Sequence, residues 1–261
     1  MLTSVVSGIR NVRQYPELEG TRILITGIST DVGVDIARGF AEAGSRMVLQ
    51  MVPGTGCDAA DKSAALLQIL SNTATEIRAN EQPLTTADQI VRFAQGASTA
   101  YGGLDAVINV IAPAAGTITH AATIDDIENA VSDALRSACL VTKIAANRMS
   151  LTWTEGLILN VVIAPPARTK ADAAFVSILG QALATMTRVE AGNWSPKGIR
   201  INAVGPRAGS AMSADLSQRS VANCLSTEAD IAALALHLAS KRGRSLSGHV
   251  FDAEGVATRR C

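Results

Sequence analysis

The chain of 261 residues is poor in aromatic side chains, which make up 3% of it, and it contains only two tyrosines. These are Tyr15 and Tyr101, and the residues four places after them are Glu19 and Asp105. A tyrosine followed one helical turn later by a lysine therefore occurs nowhere in the sequence. This absence excludes any mechanism that needs a Tyr-x-x-x-Lys pair, in which the lysine lowers the pKa of the tyrosine hydroxyl.

An excess of charge of one sign is also missing, because 23 Lys and Arg residues balance 23 Asp and Glu residues. With no net charge and no run of basic residues, the chain is not expected to bind nucleic acid or an anionic membrane surface. Its cysteines form no C-x-x-C motif, so we expect free thiols in a reducing cytoplasm. They are Cys57, Cys139, Cys224 and Cys261.

Long apolar runs are absent too, so no segment is predicted to span a bilayer. The N-terminus lacks the basic start and apolar stretch of a secretory signal, which favours a cytoplasmic protein. Hydrophobic residues make up 48% of the chain and charged residues 18%, as in a packed globular protein. We expect a lead-in over residues 1–20, a single domain over residues 21–261, and no metal site.

Short apolar segments alternate with amphipathic segments along almost the whole chain. This alternation predicts an α/β fold with a doubly wound parallel sheet covered by helices on both faces. The predicted strands are 22–26, 47–51, 75–79, 105–111, 157–163, 199–204 and 249–252. The predicted helices are 32–43, 59–71, 86–101, 124–150, 171–192 and 227–240.

Four segments, in chain order, carry a resemblance to a known family. They are TGISTDVG at 26–33, LDAVIN at 104–109, GIRINAVGP at 198–206, and the segment from 232 to 250. They resemble the TGxxxGxG, LDxLVN, GIRVNAVAPG and LASxxxxxxTGQV patterns of the short-chain dehydrogenases/reductases. The resemblance covers residues 20–256 and implies a seven-stranded Rossmann-like domain that evolved around a nicotinamide dinucleotide.

The resemblance places the remains of a cofactor site at Thr26, Gly27, Asp31, Gly33 and Asn109. A dinucleotide needs backbone N–H groups at a helix N-terminus and no side chain in the way of its phosphates. Asp31 stands where the family has its middle glycine, and its carboxylate would repel a phosphate by roughly 4 kcal/mol at an effective dielectric near 20. Asp31 is also predicted to be the N-cap of the helix, occupying the anion site itself.

Two further departures concern the rest of the cofactor site. Met51 stands at the end of the second strand, where relatives that use NAD have an acid for the ribose. Ala112 adds a side chain where the backbone of the family approaches the cofactor. Together with Asp31, these residues predict no cofactor or weak binding of NAD(P).

The family's four catalytic positions fall on side chains without a proton to donate. Its helical asparagine corresponds to Ala134, and its serine to Ile163, or to Val162 if the register slips by one residue. Its tyrosine corresponds to Val176 and its lysine to Gly180. No catalytic residue is therefore predicted at these positions.

Other polar residues offer substitutes for the missing groups. His120 follows the fourth strand and could act as a general base, although a solvated loop histidine is the favoured interpretation. His237 lies within the last apolar helix and is interpreted as structural. A possible anion site above the sheet would combine three cations, which are Arg168, Lys170 and Arg207.

The helices near 124–150 and 171–192 form the oligomer contact in the family. The second of these is rich in small and apolar residues, which favours such a contact here. The leading hypothesis is therefore a non-catalytic subunit that completes a homo- or hetero-oligomer, with an active relative as partner. The alternatives are an NAD(P)-dependent oxidoreductase with an atypical active site, and a sensor of a nucleotide or metabolite.

Overall fold

The protein is described by a computed structural model, which covers residues 15–51, 59–113, 123–164, 167–206, 225 and 227–253. Strands and helices alternate through these residues, as the sequence predicts. The strands are β1 Arg22–Thr26, β2 Arg46–Gln50, β3 Glu76–Asn80, β4 Ala106–Ile111, β5 Leu157–Val162, β6 Arg200–Gly205 and β7 Val250–Asp252. The helices are α1 Asp31–Glu42, α2 Ala59–Ser71, α3 Ala87–Thr99, α4 Ile124–Leu151, α5 Lys170–Trp194 and α6 Glu228–Ala239.

All seven strands form one parallel sheet in the order β3-β2-β1-β4-β5-β6-β7. The central strands read as continuous apolar runs because helices cover both faces of the sheet. β5 is buried at every position. The strand order reverses between β1 and β4, and the crevice at the carboxyl ends of these two strands is where such sheets bind ligands. The predicted fold class is confirmed.

Alternate side chains of each strand enter different cores. Ile23 and Ile25 pack with Phe40 of α1 and Leu238 of α6 on one face of the sheet. Leu24, between them in the sequence, packs on the other face with residues of α3 and α4. The period of two along a strand therefore sorts the helices into α1, α2 and α6 on one side and α3, α4 and α5 on the other.

Threonine begins five of the described helices. In each case the threonine side chain accepts a hydrogen bond from the backbone N–H three residues later. This contact satisfies one of the donors that an α-helix leaves without a partner at its start. The five capping residues are Thr30, Thr86, Thr123, Thr169 and Thr227.

Among the described residues, no helix is both long and apolar enough to cross a lipid bilayer.

Candidate functional site

The turn from β1 to α1 lies at the point where the strand order reverses. Gly27 has φ +72°, a conformation that side chains disfavour. A β-carbon at Gly27 would collide with the carbonyl oxygen of Val110 on β4, and one at Gly33 would lie 2.8 Å from the carbonyl oxygen of Gly27. The turn is thus held tightly between β4 and the first turn of α1, with the N–H groups of the helix start beside it.

The N-cap of α1 is Thr30, so the prediction that Asp31 caps this helix is wrong. Thr30 has an extended backbone, and its Oγ1 accepts the N–H of Gly33 at 3.1 Å. Asp31 is the first residue of the helix and is partly exposed. Its carboxylate adds negative charge to the first turn, where the helix dipole favours it. Because the capping group is the neutral hydroxyl of Thr30, no carboxylate occupies the N-cap position, where an anion could bind.

Two buried residues lie at the end of β2, the polar Gln50 and the apolar Met51. Met51 follows the strand directly, as predicted, and is 4% exposed within the core beside α1. Gln50, which the sequence reasoning missed, is also buried, and its Oε1 accepts the N–H of Gly27 at 3.2 Å. A glutamine inside an otherwise apolar strand was the available signal. Gln50 therefore ties the end of β2 to the glycine turn.

Asn109 lies in a buried hydrogen-bond network that joins three strands and a helix. Its Nδ2 donates to Oδ1 of Asn160 on β5 at 2.8 Å and to Oγ1 of Thr142 on α4 at 3.3 Å. Its Oδ1 accepts from the hydroxyl of Thr26 at 3.3 Å. Thr26 and Asn109 thus fix the carboxyl ends of β1 and β4 relative to each other. Ala112 follows β4 and is partly buried.

The positions assigned to the family's catalytic residues lie among apolar side chains. Ala134 of α4 and Val176 of α5 pack in one cluster, which also contains Val162. Ile163 is 2% exposed and packs on the other face of the sheet. Gly180 is buried within α5. Of the two registers considered for the serine, Val162 is the one that shares a cluster with Ala134 and Val176.

Asp172, in the first turn of α5, is engaged in capping that helix. Its carboxylate accepts the backbone N–H groups of Thr169 at 2.9 Å and Arg168 at 3.1 Å. Burial acts to raise the pKa of the Asp172 carboxyl, but hydrogen bonds from Thr169 and the backbone N–H of Arg168, together with the charge of Arg168, outweigh it and lower that pKa. An ionised, hydrogen-bonded carboxylate is a poor proton donor, so Asp172 does not replace the missing acid.

The substitute residues named from the sequence are only partly covered by the structure. His120 and Arg207 lie outside the described residues, as do Cys57, Cys224 and Cys261. Arg168 and Lys170 are exposed at the start of α5, and His237 is partly buried in α6. Within the described ranges, no group of three or more His, Cys, Asp or Glu side chains could hold a metal ion.

Comparison with known proteins connects this geometry to a family. The family described as enoyl-(acyl carrier protein) reductase matches residues 27–255. A cis-4-hydroxycyclohexanecarboxylate dehydrogenase of Sinomonas cyclohexanicum is 27% identical over 70% of this chain and 71% of its own. An uncharacterized oxidoreductase of Mycobacterium tuberculosis is 25% identical over 90% of this chain and 91% of its own.

Solved structures share the fold over nearly their full length. A short-chain dehydrogenase of Burkholderia cenocepacia in complex with NADP has a TM-score of 0.69 and 20% identity, over 92% of this chain and 98% of that one. A 7α-hydroxysteroid dehydrogenase, complexed with NADH and 7-oxo glycochenodeoxycholic acid, has a TM-score of 0.69 and 22% identity, over 92% and 95% of the two chains. At this identity the likeness shows a common fold.

These findings overturn the expectation of a non-catalytic subunit that completes an oligomer with an active partner. The matched family is a family of reductases, and the relatives are a dehydrogenase and an oxidoreductase, so an oxidoreductase with an atypical active site fits better. The expectation was wrong because it equated the loss of one set of side chains with the loss of the chemistry. The family pattern runs from the glycine turn to beyond the last strand, and the chain belongs to the short-chain dehydrogenase/reductase family.

Proposed function

We propose that this protein is an NAD(P)-dependent oxidoreductase that interconverts a secondary alcohol and a ketone. The turn at Gly27 carries this proposal, because its positive φ and its close packing against β4 lead the chain into the start of α1 at the carboxyl edge of the sheet, where helix N–H groups can meet a phosphate. The family match begins at this residue and extends to residue 255. The relatives solved with NADP and NADH support the same role.

The residues of the turn fit a dinucleotide. The start of α1 offers backbone N–H groups and the positive end of the helix dipole to a pyrophosphate. Gly27 and Gly33 let the turn pack closely against β4 and against the first turn of α1, and Thr30 and Gln50 fix its backbone. When bound, the nicotinamide supplies the group that accepts or donates a hydride.

Met51 bears on the choice between the two cofactors. Its thioether offers neither a carboxylate for the ribose hydroxyls nor a cation for a 2′-phosphate, and it is buried in the core. We therefore propose that NADH and NADPH bind with similar affinity. The expectation of absent or weak binding is not supported by the relatives, and Asp31 is proposed to lower the affinity without abolishing it.

The proton that accompanies hydride transfer needs a donor outside the apolar cluster of Ala134, Val162 and Val176. We propose His120 for this role. β4 ends at the carboxyl edge of the sheet, and His120 follows its last residue by nine positions in the sequence. An imidazole exchanges protons near neutral pH. The chain's own contribution to the reaction would then be to bind the cofactor by backbone groups and to supply the proton from His120.

Calorimetric titration of the purified protein with NADH and with NADPH tests the proposal. We expect saturable binding of both in the micromolar range, and slow oxidation of cis-4-hydroxycyclohexanecarboxylate or a related cyclic alcohol in the presence of NAD or NADP. Absence of binding up to millimolar concentrations of either cofactor would overturn the proposal. Binding without turnover of any alcohol or ketone in a broad panel would favour a sensor.

The oligomer contact through residues 124–150 and 171–192 is retained as a proposal. We propose that a second copy of this chain packs against α4 and α5. Val189 is an exposed large apolar residue of α5, whereas Gln181, Thr185 and Arg188 are exposed polar neighbours on that helix. Light scattering on the eluting protein measures the mass directly, and a monomer at micromolar concentration would contradict the contact.

A further inference from the structure

A cavity of about 800 Å³ lies between the C-terminal parts of α3, α4 and α5. Each of these helices ends shortly before the strand that follows it in the chain, so the cavity lies at the amino edge of the parallel sheet. The glycine turn lies at the carboxyl edge. The cavity is thus separate from the proposed cofactor site, and its volume is in the range of small-molecule sites.

Two residues that line this cavity carry a buried hydrogen-bond donor without a partner among the described residues. The donors are the hydroxyl of Ser98 on α3 and the Nε of Arg148 on α4. Ser98 is 2% exposed. Buried polar groups in folded proteins are nearly always paired, so two unpaired donors at one cavity indicate a missing acceptor. A ligand with oxygen acceptors, bound in the cavity, can satisfy both.

The charges around the cavity favour an anion. Lys143, Arg148 and Lys197 line it, against the one carboxylate of Glu190. Glu190 already accepts the indole N–H of Trp194 at 2.9 Å. Cations near helix C-termini also complement the helix dipole, but that effect does not account for the buried, unpaired Nε of Arg148.

One side of the cavity is apolar and aromatic. Trp194, Ile144 and Leu151 line it, and Leu151 is 66% exposed. Lys197 holds its ammonium over the face of the Trp194 ring, 4.7 Å from the ring centre, so the lysine itself covers this face in a cation–π contact. The apolar part of a ligand can instead lie against Ile144 and Leu151, which also line the cavity.

We propose that this cavity binds an organic anion that combines a carboxylate, phosphate or sulfonate with a flat apolar body. Lys143, Arg148 and Lys197 bind the acidic group, and the hydroxyl of Ser98 donates to it. The flat body lies against Ile144 and Leu151, near the Trp194 ring that Lys197 covers. This binding does not depend on NAD(P), because the lining residues belong to the opposite edge of the sheet.

Anilinonaphthalene sulfonate, an anion with a flat aromatic body, is the probe for the test. The chain has two tryptophans, so Trp153→Phe leaves Trp194 as the only one, and its emission falls when the probe binds within energy-transfer distance. Trp153 is 94% exposed and does not line the cavity. Titration of this variant in its native oligomeric state, with and without saturating NADH, gives the affinity at the cavity.

The expected result is saturable quenching of Trp194 that NADH leaves unchanged. Adding Lys143→Gln and Lys197→Gln weakens binding by roughly tenfold, because two charge-assisted contacts are lost. Both lysines are exposed, so the fold is retained. The matched control is Arg136→Gln with Arg188→Gln, exposed cations of α4 and α5 outside the cavity, which leaves the affinity unchanged.

Three results would overturn the proposal. Unquenched Trp194 at saturating probe shows that nothing occupies the cavity, including the case in which a second subunit covers it. Equal weakening by the two pairs of substitutions shows a general charge effect. Loss of quenching with NADH shows that the probe acts from the cofactor site.

Discussion

Two regions at the carboxyl edge of the sheet, the turn around Gly27 and the cluster around Val162 and Val176, are held in place by different contacts. The turn around Gly27, called the backbone region here, is fixed by its main chain, because a positive φ and the approach to Val110 leave no room for a side chain. The cluster around Val162 and Val176 is fixed by apolar side chains that pack against one another. The first region can bind a ligand through N–H groups alone, and the second has no group among these side chains that can transfer a proton.

The difference shows how cofactor binding and proton transfer can separate within one fold. A phosphate site made of backbone tolerates many side-chain changes as long as its glycines remain. A proton-transfer site depends on particular side chains, and packing can take over their positions while another element supplies the proton. Substitutions at Gly27, His120, Asp31 and Thr30 should therefore affect cofactor binding and turnover separately.

Gly27→Ala should damage the backbone region most. Its β-carbon would collide with the carbonyl oxygen of Val110, and its φ of +72° strains any side chain. We expect a loss of about 3 kcal/mol or more in the free energy of unfolding, measured by urea denaturation, together with loss of NADH binding. Gly96→Ala is the matched control, because a β-carbon at this position of α3 meets open space. Gly96→Ala should raise the free energy of unfolding by about 1 kcal/mol, because alanine favours a helix more than glycine does.

His120→Gln tests where the proton comes from. If His120 is the donor, the substitution lowers turnover by about 100-fold, the lower range for general acid–base catalysis. The affinity for NADH stays unchanged, because the backbone of the turn binds the cofactor. His237→Gln in α6 is the control and retains turnover. Unchanged turnover in His120→Gln would place the donor elsewhere and leave the cofactor proposal intact.

Asp31→Gly restores the glycine of the family pattern at the start of α1. Removing a negative charge from the first helical turn should tighten NADH binding about tenfold, or about 1.4 kcal/mol, with a smaller gain at high salt. Asp35→Asn is the control, because Asp35 lies one turn further along the helix and pairs with Arg38 at 3.7 Å. Equal affinity in Asp31→Gly and the unsubstituted protein would show that the carboxylate does not face the phosphates.

Most of the fold could be predicted from the sequence because apolar runs and their spacing determine it. β1 at 22–26 and α2 at 59–71 have the predicted bounds, and the ends of the remaining strands shift by two residues or less. These elements depend on many residues at once, so no single misjudged position moves them.

The site was harder to predict because it depends on single contacts. Thr30 and Asp31 both belong to residue types that cap helices, and only the extended backbone of Thr30 decides between them. Gln50 accepts the N–H of Gly27 at the end of the neighbouring strand. A glutamine in an apolar strand marks the residue, but the sequence does not show which group it contacts. The cavity at the amino edge combines the ends of three helices that are distant in sequence, so nothing in any one segment points to it.

Thr30→Ala makes the smallest and most discriminating change to the backbone region. The hydroxyl of Thr30 accepts the N–H of Gly33 at 3.1 Å, so its loss should cost about 1 kcal/mol in the free energy of unfolding. Thr86→Ala removes an equivalent cap from α3, far from the turn, and should cost a similar amount. Only Thr30→Ala should also weaken NADH binding, because it loosens the N–H groups that meet the phosphates. Equal affinities in the two variants would show that the turn is held by its glycines alone.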